Sequence, residues 1–147
     1  PISADQWVFQ FSVKHTLASG GFCSAHQVFI LRSADGLDRV GAGFQDYRAF
    51  QQYWHFPVFD NDEERGTVIH DWMTEVPPSG WTTVTITRDG NTITLNTDGR
   101  TRTATVSDDF GLDLQILELY TTYSSNCDPP TTVLIDNIEI REGTTSL

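Results

Sequence analysis

The chain has 147 residues, with nine Lys+Arg against twenty Asp+Glu and a formal net charge of −11. That length suits one domain whose core can fold it without metal or disulfide staples. So negative a surface repels phosphate and argues against nucleic-acid or anionic-membrane binding. No apolar run is long enough for a membrane-spanning helix, and 38% apolar with 12% aromatic residues is too rich for a disordered chain.

The finer composition points to strands and turns. There are nineteen Thr, which suit exposed strand faces, and fourteen Asp against six Glu, a balance that favours turns and calcium sites over helices. The chain starts at Pro1 with neither an initiator Met nor a signal peptide, as a mature or excised piece would. From Arg141 the sequence turns small and polar like a linker, so one domain is expected over residues 1–142 and a tail over 143–147.

In chain order, Trp7 to Val13 alternates strictly, with Trp7, Phe9, Phe11 and Val13 on one face. Gln27–Leu31 is a short apolar strand followed by the turn Arg32–Gly36. Arg39–Phe44 is a strand interrupted by glycines, and Phe50–Phe56 is one stopped by Pro57. Asp60–Glu64 reads as an acidic loop, Thr67–Trp72 as a strand, and Val76–Gly80 as a loop. Trp81 to Val106 predicts a three-strand meander with turns at Asp89-Gly90 and Asp98-Gly99. Its buried side is expected to hold Trp81, Val84, Ile86, Ile93, Leu95, Ala104 and Val106, with Thr residues on the other. Leu114–Tyr123 and Val133–Ile140 complete the set. About nine or ten short strands without a helix predict an all-β, antiparallel β-sandwich of the jelly-roll kind.

Cys23 and Cys127 sit in no metal or redox pattern. They are either free thiols or one disulfide, and their loop-like flanks favour the disulfide, which would place the chain in an oxidising, extracellular compartment. Asp60, Asp62, Glu63 and Glu64 offer hard oxygens of the kind calcium prefers, although without EF-hand spacing.

Trp81 to Gly99, with its Trp, alternating strands and Asp-Gly turns, resembles the concanavalin A-like/laminin-G-like jelly-roll superfamily. The closing Ile135-Asp-Asn-Ile-Glu-Ile140 is similar to that superfamily's last strand, and Trp7–Val13 to its first, which pairs with the last. The resemblance covers most of the chain as a pattern. It implies a structural calcium where first and last strands meet, near Asp136 and Asp5. The superfamily holds carbohydrate-binding modules, hydrolases, lyases and protein-binding modules, so fold alone does not give function.

A carbohydrate site pairs flat aromatic rings with amide, carboxylate and hydroxyl partners. The densest such mixture is Gln45–Phe56. Strand alternation puts Gln51, Tyr53 and His55 on one face, a candidate binding face that Tyr47, Trp72, Glu118 and Tyr120 could join; Phe50, Gln52, Trp54 and Phe56 share the other face, with Phe50, Trp54 and Phe56 read as core and Trp54 kept also as a candidate for stacking on the sugar, beside Tyr53 and Trp72. Trp7 and Trp81 are assigned to the core. No catalytic residue is assigned: the hydrolase motif Glu-x-Asp-x-x-Glu is absent, and only His55, Tyr53 or His70 offer a lyase base. The expectation is a secreted, non-catalytic module of a larger protein that binds a neutral poly- or oligosaccharide. The alternatives are a small hydrolase or lyase of the same fold and a laminin-G-like adhesion module. A flat Thr face could also meet ice or another flat polymer.

Overall fold

Strict alternation in β1 (Gln6–Thr16) buries Trp7, Phe9, Phe11 and Val13, each no more than 2% exposed. A computed structural model describes residues 5–16, 24–47, 52–65, 68–69, 80–97, 99–123 and 132–143. The remaining strands are β2 (Ser24–Arg32), β3 (Arg39–Tyr47), β4 (Gln52–His55), β5 (Val58–Asp60), β6 (Glu63–Glu64), β7 (Val68–Ile69), β8 (Thr82–Asp89), β9 (Thr92–Thr97), β10 (Arg100–Thr105), β11 (Ile116–Tyr123) and β12 (Thr132–Glu142). Among the described residues there is no helix.

Two antiparallel sheets face each other. The first has the order β10-β9-β8-β1-β12, so first and last strands are neighbours, as expected. The second has the order β11-β2-β3-β4-β7, with β5 on β3 and β6 on β5. Strands β4 and β5 share one edge of β3: Gly43 pairs with His55 and Arg39 with Phe59. Pro57 divides them, because it cannot donate to a ladder; its carbonyl instead accepts the Gly41 amide at 3.1 Å.

Side chains from both inner faces interlock between the sheets. Phe9, Phe11 and Phe29 form a cluster with ring centroids 5.0–5.6 Å apart, and Phe44 packs on Trp54 at 4.5 Å. Val84, Ile86, Ile93, Leu95, Ala104 and Val106 are buried, as the meander predicts. Trp81 is not: it is 50% exposed. It has the parity of Thr83, whereas the inward row of β8 is Thr82, Val84, Ile86 and Arg88.

Arg88 is therefore a guanidinium inside one end of the sandwich, only 2% exposed. Carbonyls satisfy it: Gly90 at 2.8 Å and Asp108 at 3.0 Å, with Ser107 and Phe110 beside them. Burial pulls its pKa below the usual arginine value, against the nearby carboxylates Asp5, Asp38, Asp60 and Asp108. Asp38 joins the same end from the second sheet. Its Oδ1 accepts the Asn61 amide at 2.9 Å and its Oδ2 the Gly111 amide at 2.8 Å.

Candidate functional site

The outward face of the second sheet carries a groove of about 410 Å³. Strand register arranges it in rows. One runs Tyr120, Val28, Gly43, His55 across β11, β2, β3 and β4. The next runs Glu118, Ile30, Gly41 and reaches Pro57 through the Gly41 amide. The third holds Arg32, Arg39 and Phe59. Val28 and Ile30 make an apolar floor, the glycines keep β3 low, and Tyr120 and His55 line the groove from the two ends of the first row.

Gly41 fixes the depth. A Cβ there would lie 2.3 Å from the Phe29 carbonyl oxygen and 3.0 Å from Ile30 Cα, both backbone atoms of β2. Only glycine permits that approach.

The groove's charges are paired. Arg32 Nε donates to Glu118 Oε2 at 2.7 Å, and its Nη1 to the Ser33 carbonyl at 3.3 Å. Arg39 Nη2 donates to Asp62 Oδ1 at 2.5 Å, and its guanidinium lies 4.1 Å above the Phe59 ring. The turn between β2 and β3 borders the groove at Gly36. There the Ser33 hydroxyl donates to Asp35 Oδ1 at 2.6 Å, and the Leu37 amide to the same oxygen at 3.0 Å. These two bonds, the hydroxyl's first, hold the Asp35 carboxyl below its ordinary 3.8.

Of the expected ligand-binding residues, His55, Glu118 and Tyr120 come together here. Gln51 and Trp72 lie outside the described residues, and of Tyr47 and Tyr53 only the strand positions are described. Tyr53 pairs with Gln45, one row beyond His55, and Tyr47 pairs with Ser24. Trp54, read as core by parity but kept as a candidate for stacking on a sugar, is 0% exposed, which leaves only the core reading. It shares the inward parity of Phe56 and packs on Phe44, so its ring belongs to the core.

Val28, Ile30, Arg32, Arg39 and Phe59 are groove residues that the sequence reading did not single out. The signal was Gly41-x-Gly43 within a strand, which marks a face without side chains, flanked by the alternation Val28, Ile30, Arg32.

The carboxylates considered for calcium are dispersed. Asn61 and Asp62 form a tight hairpin turn between β5 and β6, with φ of 50° and 64°. Asp60 points inward, 4% exposed, and accepts the Ser107 amide at 2.7 Å and hydroxyl at 2.6 Å. Asp62 is held by Arg39, and Glu63 by Arg65 at 2.5 Å. Asp136 lies on β12 opposite Ser12, where its carboxylate accepts the Asn137 amide at 2.8 Å. Among the described residues no three His, Cys, Asp or Glu converge on one point. Cys23 and Cys127 lie outside the described residues.

No protein-family model matches the sequence, and no curated protein is similar to it. Solved structures are similar in fold. A family 18 polysaccharide lyase superposes with a TM-score of 0.57 at 11% identity, over 95% of this chain and 73% of that one. An alginate lyase from Pseudomonas aeruginosa gives 0.56 at 11% identity, over 96% and 66%. The carbohydrate-binding module CBM66 from Bacillus subtilis gives 0.50 at 17% identity, over 92% and 75%. The fold is an all-β jelly-roll sandwich of two antiparallel sheets. At these identities the likeness defines the architecture; what the groove does rests on its own residues.

Proposed function

We propose that this jelly roll is an extracellular, non-catalytic carbohydrate-binding module, part of a larger protein, and that its groove takes a segment of a neutral poly- or oligosaccharide. The observation that carries the reading is the row Tyr120, Val28, Gly43, His55. A phenol and an imidazole end a row whose middle is apolar, and both line the groove, as suits a sugar ring, whose C–H faces are apolar and whose edges are hydroxyls. Glu118 and Arg32 supply acceptors and donors in the adjoining rows. Both groove arginines already have carboxylate partners, and the chain is strongly acidic, so an uncharged glycan suits the site better than a uronate.

The same row favours one second reading. An eliminating lyase uses a base and an acid of the kinds that an imidazole and a phenol supply, and His55 and Tyr120 both line this groove. A two-carboxylate hydrolase has less support, because Glu118 is the one carboxylate lining the groove among the described residues.

The test is a panel of immobilised neutral and uronic polysaccharides, run with calcium and with chelator, with reducing ends and unsaturated products assayed on the same samples. Retention on a neutral glycan without product supports the binding module, and its loss in chelator would put a cation at or near the groove. Unsaturated product that vanishes in His55→Ala would replace the reading with a lyase. Calcium-dependent capture of a protein with no glycan retention would replace it with an adhesion module.

A further inference from the structure

The first sheet ends in β10 on one side and β12 on the other, and the two edges are built differently. On β10, Arg102 pairs with the buried Leu95 and Arg100 with the buried Thr97, so charges sit at inward register positions. Such residues block the addition of another strand. On β12 the inward position opposite the buried Phe9 is Ile140, which is nevertheless 36% exposed, and Ile138 is 48% exposed. The segment Ile138–Glu142 has neither Lys nor Pro. The irregularity that could blunt this edge, where Asn137 adopts φ 52° and the register shifts, takes in Asn137 and Ile138, and regular pairing with β1 resumes at Glu139 and runs to Glu142.

The outward positions of the same segment are Glu139 and Arg141, paired within the chain at 2.9 Å and set opposite the uncharged Gln10 and Val8 of β1. Acid, apolar, base is a self-complementary order for antiparallel pairing. A copy turned about a two-fold axis through Ile140 sets Glu139 against Arg141 of the second copy, Arg141 against Glu139, and Ile140 against itself. A shift by one residue would put the apolar row on the wrong face, and a shift by two would set Glu139 against Glu139.

We propose that the chain forms a two-fold dimer through the outer edge of β12, which carries no further strand among the described residues, joining the first sheets of two copies into one continuous sheet. The symmetry is isologous, so a single complementary segment suffices. Two chains of net charge −11 repel at low salt, so added salt should tighten the dimer. The groove lies on the other sheet, and the proposal does not depend on what the groove binds.

Sedimentation equilibrium of the 147-residue chain across protein concentrations, in low and moderate salt, tests it. A monomer–dimer equilibrium strengthened by salt is expected. Arg141→Glu, which sets acids opposite each other, should weaken the dimer about tenfold or more, as should Glu139→Arg. The double reversal Glu139→Arg/Arg141→Glu restores the complementarity and should restore the dimer. These side chains are partly exposed, so folding should survive, and a circular dichroism melt confirms it. A chain that stays monomeric throughout would leave this edge to a different strand and overturn the proposal. So would a dimer indifferent to the single reversals, or one that the double reversal does not rescue.

Discussion

His55 and Tyr120 line the groove from the two ends of one register row, with Val28 and Gly43 between them, although β4 and β11 are far apart in sequence. Tyr120 is 45% exposed. Tyr120→Ala should therefore cost little stability, within about 0.5 kcal/mol, while weakening glycan retention about tenfold, as loss of one stacking ring does. His55→Ala should act in the same direction. Affinity electrophoresis in the retained glycan, with a thermal melt of each variant, checks both.

Gly41→Ala should damage fold and groove together. Its Cβ meets backbone of β2, which cannot turn aside as a side chain can. The strands must separate, at a cost of about 1–3 kcal/mol, and the groove floor must rise. The urea midpoint and glycan retention should fall in parallel.

Acid should loosen the groove rim. The Asp35 carboxyl titrates below its ordinary 3.8 because the folded state bonds its ionised form. Its contribution is complete above that unfolded value and is lost as the pH falls through the folded one. Ser33→Ala removes the main cause and should return the Asp35 pKa towards 3.8, measurable by NMR titration of its carboxyl.

Cys23 and Cys127 are expected to form a disulfide. Thiol titration of the denatured, unreduced protein should find no free thiol. Reduction should destabilise the fold by up to ~4–5 kcal/mol, for a loop of roughly 100 residues.

Strand positions were readable because alternation is local. Trp7, Phe9, Phe11 and Val13 show it, and the turn at Asp89-Gly90 was read from an equally local signal. The same rule, applied residue by residue, places Trp81 outward with Thr83 and Trp54 inward with Phe56. Trp81 was misassigned to the core on the alternation of the strand that follows it, and Trp54, core by parity, was also kept as a stacking candidate, a role its burial overturns. Arg32 and Arg39 escaped notice for another reason. Their role depends on which strands become neighbours, and β2 pairs with both β3 and the distant β11. Nothing local to Arg32 announces Glu118, which lies 86 residues away.

Asp38 has a consequence of a different kind. One carboxylate holds the Asn61 amide with one oxygen and the Gly111 amide with the other, tying the β5–β6 turn to the loop before β11. Neither loop can let go of that carboxylate without disturbing the other's anchor. The two amides should accordingly trade their protons with deuterated solvent as one cooperative unit, and Asp38→Asn should speed both together.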